Sequence, residues 1–213
     1  NSLKKPPTNL VLFVEENFNI SNLKKLISTA EFTFISDLLK NSDLKKDLLS
    51  FKLSSKKIIF LVSVKKKLEN SDIENLGAEF HGYINYDKKS EYCVNSDSIN
   101  NEYKNFLGHF LHGLKLKSYE FNLYKSQKDK KVISINIIGN KDKISTHNEL
   151  RFKAIEEGTF FARDLVSEPP NVLNPKEYVN RLLKLRKLGI KVTVYNEAHM
   201  KKLGMHSLLG VGR

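Results

Sequence analysis

Two short runs limit the fold most. "NLVLFVEEN" (9–17) and "KKIIFLVSV" (56–64) each hold five consecutive apolar residues, rich in β-branched and aromatic side chains. Runs this short read as strands. Successive side chains of a strand point to opposite faces, so an unbroken apolar run must be covered on both sides. Helices are the usual cover, and the intervening sequence supplies them. "SNLKKLISTAEF" and "FISDLLKNSDLKKDLL" carry apolar residues at three-to-four spacing. "NSDIENLGAEFHGYIN" (70–85) is predicted helical with Ser71 or Asp72 as N-cap. A further helix is predicted over 98–119, with Tyr103, Phe106, Leu107, Phe110, Leu111 and Leu114 on one side. "EYCVN" reads as a strand, and "YEFNLYK" (119–125) and "KVISINIIG" (131–139) alternate with period two. Strands alternating with helices predict an α/β domain with a mixed sheet over about 1–142.

Beyond it, Thr146 and Glu149 form a T-x-x-E capping box. Apolar spacing through Leu150, Ala154, Gly158, Phe161 and Leu165 then predicts a connecting helix. It ends at Pro169-Pro170, within a connecting segment 143–170. The chain restarts at Asn174-Pro175, with Asn as N-cap, Pro at the first helical position and Glu177 completing a second box. Gly189 is placed to stop that helix, "IKVTVY" (190–195) alternates like a strand, and Asn196 and Gly204 bracket a short helix. Residues 171–213 thus read as the opening α-β-α elements of a second α/β domain. One strand cannot make a sheet, so that domain is expected to be incomplete.

The formal net charge of +12 raises the question of nucleic acid. Of 36 basic residues only five are arginine: Arg151, Arg163, Arg181, Arg186 and Arg213. The bidentate fork that reads phosphate and base edges is therefore scarce, and the lysines are scattered. A nucleic-acid partner is the lesser reading. Cys93, the single cysteine, allows no disulfide within the chain and no multi-cysteine metal site. It reads as a small apolar strand residue, and a reducing, cytoplasmic setting fits. No apolar run is long enough to span a membrane, and "NSLKKPPTNLVLFVEE" does not read as a signal peptide.

The chain has no H-E-x-x-H, C-x-x-C, Walker loop or G-x-S-x-G. His109 and His112 are three apart, a spacing able to hold a metal. No acidic residue lies one turn away on the same helix, so they read as polar-face or capped histidines. His199 and His206 read as surface or packing residues. Arg163, Asp164 and Glu168, beside the double proline, read as a helix-end ion pair with capping. "GVGR" is a weak phosphate cradle.

Three segments carry a family resemblance. "FARDLVSEPPNVLNPKEYV" resembles the junction segment of the leucyl aminopeptidases, the cytosol aminopeptidase family of metallopeptidases. "EAHMKKLGMHSLLGVGR" resembles the element that follows, a helix ending in L-G-M and then a small-residue strand leading to G-x-G. "FLHGLKLKSYEFNLYKS" resembles the helix-to-strand segment upstream. The resemblance implies an amino-terminal domain similar to the macro domain, a connecting helix, and a carboxy-terminal catalytic α/β domain entered at the double proline. It also implies peptide substrates cut at the N-terminus, leucine preferred. The family's enzymes use two divalent metals (zinc, manganese or magnesium) and assemble as hexamers, a dimer of trimers. The family's K-G-x-x-x-D and N-T-D-A-E-G segments occur nowhere in this sequence, so no catalytic, metal or substrate-binding residue is carried over. These 213 residues are expected to be inactive alone and to serve folding or assembly. The macro-like fold raises ADP-ribose binding as well, but "IIGNKDK" offers one glycine where a phosphate loop needs several.

Overall fold

The computed structural model describes residues 9–55, 57–84, 89–100, 103–126 and 132–211. It divides into two compact units, 1–160 and 161–213, and the division falls within one helix.

Unit 1 is built on a five-stranded sheet. Its strands are β1 (Asn9–Glu15), β2 (Leu48–Ser54), β3 (Lys57–Val64), β4 (Lys89–Asn95) and β5 (Val132–Ile138), in the spatial order β2-β3-β1-β4-β5. β2 runs antiparallel to β3, and every other pairing is parallel. The sheet is mixed, as the sequence predicted. The two apolar runs are its central neighbours, β1 and β3, in register from Asn9 opposite Ile58 to Glu15 opposite Val64.

Both faces of these strands are covered. Val11, Phe13, Phe60 and Val62 point to one face, where they pack under α2 (Asn70–Tyr83) and α3 (Phe106–Lys117) with Phe80, Phe106 and Phe110. Leu10, Leu12, Val14, Ile59 and Leu61 point to the other, beneath a 3-10 turn at Ser21–Lys25 and α1 (Thr29–Leu39). Phe13 meets Phe106 and Phe110 edge-on, with centroids 5.0 and 5.1 Å apart. That is the geometry the ring quadrupoles favour.

α1 starts on a reciprocal cap. Ser28 Oγ accepts the Glu31 N–H (3.3 Å) and Glu31 Oε2 accepts the Ser28 N–H (3.0 Å). The other Glu31 oxygen pairs with Lys57 at the start of β3. Burial pushes the Glu31 carboxyl up, but the Lys57 hydrogen bond and those from Ser28 outweigh it, so it titrates below its ordinary value of 4.5. A depressed carboxylate stabilises the fold above its unfolded value, and that contribution is lost as pH falls through the folded value. Glu31→Gln is therefore expected to lose about 1 kcal/mol at pH 7, in the range of a lost cap. Its gap to the wild type should narrow as pH falls below the ordinary carboxylate value. Urea titrations at pH 7 and pH 3.5 check this, and an equal gap at both would refute the linkage.

Four local expectations are corrected. Residues 34–49, whose spacing suggests amphipathic helical pieces, end their helix at Leu39 and enter β2 at Leu48. There Leu48 and Phe51 are buried against the sheet. α2 carries Asp72 inside its first turn, where its carboxylate accepts the Glu69 N–H (2.9 Å); the cap position is Glu69, and neither Ser71 nor Asp72 fills it. Residues 119–125 form no strand. Tyr119 packs on Phe160 (5.3 Å) and Phe121 on Tyr124 (5.8 Å), so the alternating aromatics are used in local packing. The long helix α4 (Thr146–Ser167) is capped one residue earlier than expected, by Ser145 Oγ accepting the Asn148 N–H (3.2 Å).

In unit 2, the expected N-caps are present, while the Glu177 carboxylate meets Arg181 (3.2 Å) and Asn180 (3.4 Å) in place of closing a box. Asn174 Oδ1 accepts the Glu177 N–H (3.0 Å) to open α5 (Pro175–Leu183). Gly189 stops the following 3-10 turn at φ 81°. Asn196 Oδ1 accepts the His199 N–H (2.9 Å) to open α6 (Glu197–Lys202), and Gly204 follows it at φ 74°. Residues 190–195 do not form the expected strand. No strand lies beside them among the described residues, so their backbone groups have no ladder to join, and Ile190, Val194 and Tyr195 stay about half exposed. The expected small-residue strand is α7 (His206–Val211). Gly210 sits in that helix, and Gly212 and Arg213 lie outside the described residues.

Candidate functional site

In a parallel sheet, ligands enter where neighbouring strands part at their carboxyl ends. Here that place is between β1 and β4, which pair only at Leu10 with Cys93 and Val11 with Val94. The chain fills the gap itself. Ser98 Oγ accepts the Phe13 N–H (2.9 Å) and donates to the Asn95 carbonyl (2.6 Å). Asn22 Nδ2 donates to the carbonyls of Phe13 (3.3 Å) and Ser98 (3.2 Å). The Phe13 N–H, a donor facing the gap, is thereby already taken. What remains is a cavity of about 380 Å³ whose charged lining mixes Glu15 and Glu16 with Lys65 and Lys66. The loop after β5 is tied down as well, by Asp97 Oδ1 accepting the N–H groups of Asn140 (2.8 Å) and Lys141 (3.2 Å). A glycine-poor loop held by a carboxylate is a poor phosphate cradle, in line with the single glycine of "IIGNKDK".

The second polar cluster joins three helices. His109 Nδ1 lies 2.8 Å from Glu74 Oε1 of α2, and His112 Nδ1 lies 2.8 Å from Glu156 Oε1 of α4. Phe152 stands between the imidazoles, stacked on His112 (4.8 Å) and edge-on to His109 (5.0 Å). His112 is buried, which corrects the polar-face reading. Its acidic partner comes from another helix, so spacing along α3 could not reveal it. Each imidazole has its own carboxylate, and the pairs bind helix to helix.

In unit 2, Glu168 is the buried acid beside the double proline. Its side chain is 2% exposed and pairs with Arg181 of α5 (2.9 Å), which also reaches Glu177 (3.2 Å). The sequence groups Glu168 with its neighbours Arg163 and Asp164; its carboxylate also reaches across the prolines to α5. Taking Arg181 away would leave a carboxylate buried without that partner, which is the costly way to break such a pair. His199 packs near Tyr195 (6.0 Å).

Cys93 is buried in β4, and burial, then the nearby Glu91 charge, push its thiol up. A thiol held protonated is a poor nucleophile. Among the described residues no three His, Cys, Asp or Glu side chains are placed to hold a metal ion. The described residues thus do not fit a two-metal centre, and no metal-dependent step is assigned to them. No described helix is long and apolar enough to cross a membrane.

Residues 160–213 match the profile of the cytosol aminopeptidase family, catalytic domain. A protein of Sinorhizobium fredii named "Probable cytosol aminopeptidase" is 39% identical over 111 residues, covering 49% of the chain and 22% of that protein. One of the same name from Dinoroseobacter shibae is 41% identical over 101 residues, covering 47% and 21%. Residues 160–213 are thus similar to the catalytic domain of the cytosol aminopeptidases, and about half of the chain is similar to these relatives. The chain spans about a fifth of the length of the curated relatives it matches. Solved structures share the fold of the chain. A tomato leucine aminopeptidase mutant superposes with a TM-score of 0.74 at 18% identity, covering 96% of the chain and 44% of that structure. The bottromycin maturation enzyme BotP gives 0.61 at 12% identity, covering 93% and 41%.

Proposed function

We infer that this chain is the amino-terminal part of a leucyl aminopeptidase that removes N-terminal residues, leucine preferred, from peptides in the cytoplasm. The observation that carries the reading is the match of 160–213 to the catalytic domain of the cytosol aminopeptidases, beginning in α4 and running past the double proline. The relatives named as cytosol aminopeptidases and the fold shared with a tomato leucine aminopeptidase support it. In this reading unit 1 (1–160) is a folded scaffold. Its carboxyl-end crevice is bridged by Ser98 and Asn22, and His109 and His112 are spent on helix pairing. The reaction, with its divalent metals, belongs to sequence beyond these residues; BotP, of the same fold, has been solved in complex with Mn. Assembly into hexamers is part of the same proposal.

The test is hydrolysis of leucine p-nitroanilide with added Mn²⁺. The full-length protein carrying this sequence is expected to release nitroaniline and to stop when a chelator is added. The 213-residue chain alone is expected to release none. An inactive full-length protein, or turnover by the isolated chain, would overturn the assignment.

A further inference from the structure

A cavity of about 690 Å³ lies in unit 1 between α3, β5 and the first half of α4. None of the roles above uses it. Its size is that of a small-molecule site (~300–1,000 Å³). The wall is hydrocarbon: Leu107 and Leu111 of α3, Ile135 and Ile137 of β5, Ile144 and Phe152. Ile137 is 48% exposed, whereas Ile133 and Ile135 of the same strand pack partly buried against the core. The charged groups around this wall are mostly of one sign. Lys115, Lys141, Lys143 and Lys153 line the trough and are exposed. Against them stand Glu149 and Glu156, and Glu156 is already held by His112.

A third feature points inward. Ser96, 1% exposed, also lines the trough, and its hydroxyl has no hydrogen-bond partner among the described residues. Buried hydroxyls are seldom left unpaired. The end wall is also rigid. Gly139 has φ 98°, and a Cβ there would lie 2.7 Å from Ser96 Oγ. Asp97 holds the next two N–H groups, and the Asp142 carboxylate accepts the Leu107 N–H at the start of α3. The trough therefore stands open without a ligand to shape it.

We propose that this trough binds an amphipathic monoanion, a medium-length acyl chain ending in a carboxylate. The chain lies along the Leu, Ile and Phe wall, and the lysines attract the head group. A peptide fits the lining less well. It would bring amide groups to carbon walls, and the lining holds no Asn or Gln to receive them.

The experiment is a titration of the 213-residue chain with decanoate, octanoate and 1-decanol, followed by amide chemical shifts and calorimetry. Decanoate is expected to bind one-to-one, with shifts confined to α3, β5 and 144–156. Octanoate should bind roughly fifteenfold more weakly, since each buried methylene is worth about fourfold. Decanol, lacking the charge, should bind at least tenfold more weakly than decanoate. The exposed double variant Lys143→Glu/Lys153→Glu should weaken decanoate about tenfold or more with its melting temperature unchanged. Decanol binding as tightly as decanoate, or shifts spread outside the trough, would overturn the proposal without any variant. So would an acidic peptide that binds more tightly than decanoate.

Discussion

Gly113→Ala is expected to destabilise unit 1 by about 3 kcal/mol or more, at the upper end of what overpacking costs. The reason lies in how α2 and α3 cross. A Cβ on Gly113 would lie 1.8 Å from the Glu74 carbonyl oxygen, and one on Gly77 would lie 1.9 Å from that of Phe110. Both obstacles are backbone, so no rotamer change relieves them; the helices must move apart. Separation would pull Phe80 and Phe110 from the cluster they share with Phe13 and Tyr92. It would also stretch the His109–Glu74 pair. For a chain of this size the melting temperature should fall by roughly 6–12 °C. Gly158→Ala in α4 is the control. Its Cβ meets nothing within 4 Å, so it should be neutral or stabilise by up to ~1 kcal/mol. A Gly113→Ala protein that melts with the wild type would show that the helices do not cross as closely as described.

Phe152→Ala is expected to cost about 3 kcal/mol, at the low end for a phenylalanine because the ring keeps 9% of its exposure. Phe152 is the one described α4 residue in the buried core, and it fills the space between His109 and His112. Without it, the first half of α4 keeps the Glu156–His112 pair and the Tyr119–Phe160 contact to hold it within unit 1. The loss should therefore be local. Hydrogen exchange over residues 146–158 should speed up by roughly a hundredfold while β1 and β3 stay protected. Unchanged exchange in α4 would mean that the aromatic wedge is not what fixes the helix.

The central sheet was legible because two runs, 10–14 and 58–62, are apolar on both faces, and only a covered sheet accommodates that. The caps at Asn174 and Asn196 and the stops at Gly189 and Gly204 were legible for a different reason. Each depends on a side chain reaching only a few residues along the chain, or on a single backbone angle. β2 was hidden because Leu48, Leu49, Phe51 and Leu53 fit both a helical and an extended pattern. The antiparallel partner β3 decides between them. Alternation at 119–125 and 190–195 suggested strands, but alternation describes one strand's side chains and cannot provide the neighbour whose backbone completes the ladder.

The polar sites divide the same way. His109 and His112 were visible as a pair at helical spacing, yet Glu74 and Glu156 lie 35 and 44 residues away. Glu168 was noticed beside the double proline, but its partner Arg181 is in the next helix. The trough was invisible, since its wall is drawn from α3, β5 and α4 and none of these is unusual alone. Sequence by itself determined which segments carry apolar faces, where the helices of unit 2 are capped, and, through the segment around Pro169-Pro170, a family resemblance. Only the tertiary structure decided which strand neighbours which, which carboxylate meets which histidine, and where a cavity is left. Local patterns are written in bonds and angles between near neighbours, whereas pairing and packing depend on residues that the fold alone brings together.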